Sequence, residues 1–288
     1  MTRVGAVFNP YHSPPEALRT AAQTAEAAGI AELWLWEDCF RESAFASAAA
    51  ALAWTDQIQI GIGIAPMPLR NVAATAMEIA TIERMFPGRL LPGVGHGVLP
   101  WMAQVGARVA SPLTLMREYI PSLRSLLAGE QVTVTGRYVT LDQVQLNYPP
   151  EAAPPIYAAA EGPKTLALAG EIADGVILVG ERTPAKFAEQ IATVQTHRSQ
   201  ASRAGTADAV AYVTAAFGPD AEPRVRAELD GPRIDEDRAV WGTPDDVAAA
   251  VTRFASAGID RIVLVPPAAE PDLEGFLKAV GEVTRLVA

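Results

Sequence analysis

Glu37, Asp38 and Cys39 follow directly on the apolar run Leu33-Trp34-Leu35-Trp36, so two carboxyls and a thiol stand where a buried segment ends. Groups of that kind can move a proton or hold a polar substrate group. The acids could equally be a solvated cap, and Cys39 a small buried filler. His96 lies between Gly95 and Gly97, after Leu90–Val94. The glycines permit close backbone approach to a ligand, and an imidazole of pKa about 6.5 exchanges protons near neutrality. Ala158-Ala159-Ala160-Glu161-Gly162-Pro163-Lys164 joins small side chains to a Gly-Pro helix start. Small residues let a planar ring or a phosphate reach the backbone, and a helix N-terminus offers free N–H groups and a positive dipole to an anion. Lys164 would add a full charge there. The same segment also suits an ordinary tight turn with Lys164 in water. Tyr11, His12, Met67, Trp101 and Met102 could line an apolar pocket for a small-molecule substrate.

The 288 residues carry 33 Asp and Glu against 23 Lys and Arg, and no basic run interrupts this balance of -10. A nucleic-acid surface is therefore not expected. His12, His96 and His197 are scattered without metal-ligand spacing, so no metal is expected. Cys39 is the only cysteine, which excludes an internal disulfide. No apolar run reaches the roughly 18 residues that span a bilayer. Val4–Phe8 begins a strand without a preceding cleavage pattern, so the expectation is a cytoplasmic protein with no membrane partner.

These groups must be held by elements, and the sequence alternates short β-branched runs with amphipathic, alanine-rich stretches. That alternation predicts βα units around a parallel sheet. Strands are expected at Val4–Phe8, Glu32–Trp36, Gln59–Ile64, Arg89–Val94, Ile156–Ala159, Gly175–Val179, Val210–Ala216 and Arg261–Val265. Helices are expected to begin near Ser13 and end at Gly29, then to run over Ala44–Trp54, Val72–Met85, Leu113–Ala128, Lys164–Ile172, Pro184–Ala204, Gly242–Ala257 and Asp272–Val287. Val132–Thr135 and Arg137–Thr140 alternate around Gly136 as a small hairpin, and Gly218–Trp241 is expected to be a loop or short helix, with some mobility. Eight units in this length predict one closed (β/α)8 TIM barrel over 1–288 rather than an open sheet. Chemistry in such a barrel lies on the loops after the strands, where each segment above falls, as does Gly180-Glu181-Arg182.

Leu35-Trp36-Glu37-Asp38-Cys39-Phe40, Pro68-Leu69-Arg70-Asn71-Val72, Phe86-Pro87-Gly88-Arg89, Gly93–Gly97 and Glu161–Leu166 occur in order, followed by Ala169–Val176 and Gly242–Val247. This set resembles the luciferase-like oxidoreductase family, and within it the deazaflavin-dependent branch that includes methylenetetrahydromethanopterin reductase. The resemblance implies hydride transfer between coenzyme F420 and a small, moderately apolar organic substrate. It places the ring over a bulge at Gly61, Ile62, Gly63 and Ile64, where the family often has a non-prolyl cis peptide. Gly95 and Gly97 would border the ring, Ala158–Lys164 would hold the phosphate, Gly180 would lie beside the cofactor, and Asp38 would sit near the reactive face. Three residues depart from the family pattern. Cys39 stands where many members have His, Val98 where some have Glu, and the acid Glu161 precedes Gly-Pro-Lys at the phosphate site. With the usual donors absent, His96 becomes the expected proton donor, Asp38 its orienting partner and Cys39 a weaker candidate. The same barrel with FMN, as a reductase or two-component monooxygenase, is the alternative, and a cofactor-binding barrel without turnover a third. The unencumbered alanines of Ala44–Ala53 point to a homodimer face.

Overall fold

The computed structural model describes residues 2–178, 180, 182–229 and 237–288. Its strands are β1 (Arg3–Phe8), β2 (Glu32–Leu35), β3 (Gln59–Pro66), β4 (Leu90–Gly95), β5 (Val132–Thr135), β6 (Thr140–Val144), β7 (Tyr157–Ala160), β8 (Gly175–Leu178), β9 (Asp208–Phe217), β10 (Ala239–Gly242) and β11 (Arg261–Val265). Its helices are α1 (Leu18–Ala27), α2 (Ala44–Ala53), α3 (Val72–Met85), α4 (Leu99–Gln104), α5 (Pro112–Leu127), α6 (Pro163–Ile172), α7 (Pro184–Gln200), α8 (Ala221–Glu228), α9 (Pro244–Ser256) and α10 (Leu273–Val287). Eight parallel strands close a ring in the order β1-β2-β3-β4-β7-β8-β9-β11, with β11 returning to β1. The expected (β/α)8 barrel is thus the architecture found. β10 is an additional strand on the C-terminal end of β9, and β5–β6 form a separate antiparallel hairpin.

Strands covered on both faces need apolar side chains at successive positions, and β2 and β8 are buried throughout. Alternate residues point to opposite sides. Val7, Trp34, Leu91, Tyr157, Ile177, Val210 and Val263 fill the barrel interior, whereas Leu33, Leu35, Ile60 and Ile62 face the helices. Trp34 fills the axis so closely that a Cβ on Gly61 would lie 2.3 Å from its Cδ2. Below it, at the strand starts, Glu32 is fully buried. Glu32 receives the Trp34 Nε1 hydrogen at 3.0 Å and pairs with Arg261, whose Nε reaches Asp208 at 2.6 Å. Tyr157 donates its hydroxyl to the same Asp208 at 2.6 Å. Every member of this polar plug is tied to another, as burial demands, and it lies opposite the end where barrel chemistry occurs.

Several elements differ from expectation for identifiable reasons. Ser13 does not cap the first helix: a 3-10 turn at Pro15–Ala17 precedes α1, with no side-chain cap. The second hairpin strand begins at Thr140, because the Glu118 carboxylate takes the backbone N–H groups of Arg137, Tyr138 and Val139 at 2.8–3.0 Å and holds them as the connecting loop. α7 stops at Gln200, where the Arg198 guanidinium gathers the carbonyls of Ala173, Ala204 and Gly205 and turns the chain off the helix. α4 was not legible as a helix. The stretch Gly218–Trp241, expected as a loop or short helix, holds the short helix α8 and also most of the strand β10, and its residues 230–236 lie outside the described residues, as do Val179 and Glu181. No helix among the described residues is long and apolar enough to cross a membrane.

Candidate active site

A cavity of about 750 Å³ occupies the C-terminal mouth of the barrel. Its floor is the upper interior layer. Trp36 and Ile64 stand two or more residues beyond buried interior positions, and Tyr212 packs its ring edge-on to Trp36 at 5.5 Å between centroids. Tyr212 donates its hydroxyl to the Gly63 carbonyl at 3.3 Å, and burial pushes this phenol well above its usual range. The register of β3 against β4 shifts between Ile62 and Ala65, so the expected bulge is present, and it contains a cis Gly63–Ile64 peptide. A second cis peptide joins Cys39 to Phe40.

The first two βα loops meet at one hydrogen bond. Tyr11 donates its hydroxyl to Asp38 Oδ2 at 2.8 Å, and the Arg41 guanidinium lies 4.0 Å from the Tyr11 ring centroid. Burial raises the Asp38 carboxyl, opposed by the bond from Tyr11 and by Arg41; burial and Asp38 push the Tyr11 phenol up to about 12. Asn9 fixes this loop by accepting the Tyr11 backbone N–H at 2.9 Å, and His12 follows on the wall. Neighbouring Glu37 is held by Arg70 at 2.5 Å.

His96 and Gly97 form another wall. Burial pushes the His96 pKa down, and its Nδ1 is buried without a hydrogen-bond partner. The ordinary imidazole value assumed from sequence is therefore corrected: this ring favours its neutral form. Gly97 has φ +67°, and a Cβ there would lie 3.0 Å from Pro66 Cβ, so only glycine fits without strain. α4 carries Trp101 to the cavity.

The third wall is the start of α6. Ala159, Ala160, Glu161 and Gly162 line the cavity, with Thr165 one turn on and Gly180 opposite. Gly162 caps α6 without any side-chain hydrogen bond, leaving the helix start to a ligand or water. Glu161 does not turn its charge into this wall unopposed: Arg182 pairs with it at 2.7 Å, and the Glu161 side chain is exposed.

Thus Tyr11, His12, Asp38, Gly63, Ile64, His96, Gly97, Trp101, Ala159, Ala160, Glu161, Gly162 and Gly180 come together as a single lining. The remaining expected residues do not line it. Gly61 lies below, under Trp34, while Ile62 and Ala158 face the helical layer. Gly95 is packed by Ala159 and Ile64, each 3.1 Å from a Cβ position. Pro163 and Lys164 are exposed on the outside of α6. Met102 is buried behind Gly97, and Met67 lines a separate cavity of about 290 Å³ with Arg70 and Tyr119. Cys39 is not among the lining residues, and burial together with Glu37 and Asp38 raises its thiol, away from a reactive thiolate. The sequence reading assigned no role to Trp36, and missed Tyr212. The alternation of Trp34 and Trp36 was the available signal for the first, and nothing local marked the second.

The luciferase-like monooxygenase family model matches residues 2–230. The 5,10-methylenetetrahydromethanopterin reductase of Methanolobus tindarius is 26% identical over 91% of this chain and 93% of its own length. The F420-dependent glucose-6-phosphate dehydrogenase of Microbacterium testaceum is 25% identical, over 86% of this chain and 84% of its own. Among solved structures, an F420-dependent secondary alcohol dehydrogenase in complex with an F420-acetone adduct superposes with a TM-score of 0.88 at 22% identity, covering 100% of this chain and 99% of that one. The chain belongs to the luciferase-like monooxygenase family.

Proposed function

We propose that this protein is an oxidoreductase that uses the deazaflavin coenzyme F420 and acts on a small organic substrate. The observation that carries the proposal is the lining itself. A bulged β3 edge, the glycine and alanine walls at Gly97 and Ala159, and an uncapped helix start all face one cavity of ligand size. A tricyclic ring needs close backbone approach, which Gly63 and Gly97 permit, and a phosphate needs free N–H donors, which the start of α6 supplies. The residues present therefore fit the group. The F420-dependent relatives, matched over most of this chain, support the deazaflavin over FMN.

When bound, the reduced deazaflavin supplies a hydride from a ring carbon. The protein's own part is placement and the control of water and protons. Gly63, Ile64, Gly97 and Ala159 set the cofactor plane, and the α6 start with Gly162 and Thr165 receives the anionic end. Lys164, exposed beside that start, contributes at longer range. Trp36, Trp101 and Tyr212 exclude water above the floor. Tyr11 holds its proton on a phenol bonded to Asp38, and neutral His96 supplies a ring face. We place a homodimer contact on α2, where Ala46 and Ala53 are exposed.

Fluorescence titration of the purified protein with F420 and with FMN tests the cofactor. The expected result is at least a tenfold preference for F420, about 1.4 kcal/mol. A tenfold preference for FMN overturns the proposal in favour of a flavin enzyme on the same barrel.

A further inference from the structure

Hydride addition to a double bond leaves an electron pair that must meet a proton, so the cavity needs an acid within reach of its ligand. Most ionisable side chains on the lining are committed elsewhere. Glu37 is paired with Arg70 at 2.5 Å, Glu161 with Arg182 at 2.7 Å, and Glu228 accepts the Ala268 backbone N–H at 2.8 Å. Tyr212 gives its hydroxyl to the Gly63 carbonyl at 3.3 Å. Burial holds His96 toward its neutral form, a poor acid, and Cys39 does not line the cavity. Tyr11 differs. It lines the cavity and is 40% exposed, yet it is held from three sides. Asn9 Oδ1 accepts its backbone N–H at 2.9 Å, and Asp38 Oδ2 lies 2.8 Å from its hydroxyl. The Arg41 guanidinium lies 4.0 Å from its ring centroid and is itself anchored on the Pro10 carbonyl at 3.2 Å. His12, the next residue, is also exposed but has no side-chain hydrogen bond or ion pair among the described residues.

We propose that Tyr11 is the catalytic acid of this site, giving its phenolic proton to a substrate carbonyl oxygen, with Asp38 and Arg41 as its positioning residues. The proposal rests on reading the cavity as the substrate chamber of a deazaflavin-dependent oxidoreductase. As a hydride from the reduced cofactor reaches the carbonyl carbon, the C=O π pair moves onto oxygen. The new O–H bond forms there while the Tyr11 O–H bond breaks, leaving a phenolate. Burial and Asp38 push the Tyr11 phenol up to about 12, yet an alkoxide is a far stronger base and still takes its proton. Arg41 over the ring stabilises the phenolate by direct charge. Burial biases Asp38 toward the protonated carboxyl, with the bond from Tyr11 and Arg41 opposing it. A protonated Asp38 donates to the phenol oxygen and so frees the phenol hydrogen to point into the cavity. The same carboxyl replaces the proton after transfer, and Arg41 stabilises the carboxylate that results. The exposed edge of Tyr11 then lets water return the proton to the pair.

Isotope-edited infrared spectra of carbonyl-labelled acetophenone, bound to the whole protein with oxidised F420 so that no hydride can move, test the contact itself. A hydrogen bond from Tyr11 lowers the C=O stretching frequency of the bound ketone. Tyr11→Phe should lose that lowering while F420 affinity, read by fluorescence, stays within twofold, and His12→Gln should keep the wild-type band. In single turnovers of reduced F420 with acetophenone, Tyr11→Phe should be slower by roughly 100-fold or more. Asp38→Asn should keep the lowered band, since its amide can donate to the phenol oxygen, and slow the single turnover at least tenfold. An unchanged rate in Asp38→Asn removes Asp38 from the relay. A band equally low in Tyr11→Phe, or no uptake of the ketone by the wild type, overturns the proposal. A Tyr11-dependent band in a protein that does not bind F420 would keep the acid and refute the cofactor assignment. F420 binding without such a band would do the reverse.

Discussion

Replacing Arg261 with Met should destabilise the barrel in a pH-dependent way. The guanidinium pairs with Glu32, whose side chain is 0% exposed, and donates to Asp208 at 2.6 Å. Methionine has similar reach and no charge. It would leave Glu32 with the Trp34 Nε1 bond at 3.0 Å and the half-exposed Arg3 at 3.7 Å. Removing one partner of a buried ion pair costs about 3–5 kcal/mol, because the other charge stays desolvated. Arg3 can offset part of this, so the lower end is expected. At about 2–4 °C per kcal/mol for a chain of this size, the melting temperature should fall by roughly 6–12 °C at pH 8. Burial is already the largest influence on Glu32 and raises its pKa above 4.5. Without Arg261 it rises further. A carboxyl whose folded pKa exceeds its unfolded value contributes stability at low pH that is lost as pH climbs through the folded pKa. The deficit of the variant against wild type should therefore be smaller at pH 5 than at pH 8. Thermal melts followed by circular dichroism at both values decide the matter. A loss under 1 kcal/mol, or an equal deficit at the two pH values, would show that Glu32 is not held as a buried charge. The double variant Glu32→Gln, Arg261→Met should recover most of the loss.

Gly63→Ala should weaken F420 binding tenfold or more, since the new Cβ would fall 1.8 Å from the Tyr212 hydroxyl oxygen and drive that ring toward the cavity. Adding Tyr212→Phe removes the clashing atom and should restore most of the affinity in the same fluorescence titration; no rescue would place the defect elsewhere. His96 has a folded pKa below 6.5, so the wild type should lose stability as pH falls from 6.5 toward 5. His96→Asn should flatten that slope in thermal melts, and an unchanged slope would contradict a buried neutral imidazole.

The barrel was legible because its signals are local and repeated. The barrel strands carry runs of apolar residues and most helices start or stop at a Pro, Asn, Ser, Thr or Gly, as Asn71 before α3 and Gly29 after α1 show. Boundaries failed where a distant side chain captured the backbone. Glu118 holding residues 137–139 and Arg198 gathering three carbonyls are contacts that no window of sequence contains. Site residues followed the same division. Asp38, His96 and Gly162 sit immediately after strands, where a barrel exposes side chains by construction. Met67 and Met102 lie in the segments that follow β3 and β4, yet one turns to a second cavity and the other packs against Gly97. Side-chain direction within a loop is set by packing, not by position after a strand.

Charge was the part of the site least visible in order along the chain. Read in sequence, Glu37 and Asp38 are equivalent neighbours, and Glu161 is an awkward acid beside a presumed phosphate site. In space they separate by their partners. Arg70 comes from the loop after β3 and Arg182 from the loop after β8, so each neutralises an acid presented by a different strand end. Asp38 alone of these acids meets a phenol instead of a guanidinium. A salt bridge across two loops fixes geometry and leaves little field in the chamber, whereas at Asp38 the bond from Tyr11 and the nearby Arg41 only partly oppose the burial that favours the neutral acid. Burial then acts in opposite senses on the titrating groups around it. It favours protonated Asp38, protonated Cys39 and unprotonated His96, the neutral form of each group. A cationic ligand beside Asp38 would lower its pKa and hold the carboxylate ionised, whereas an anionic one would raise it and favour the protonated acid.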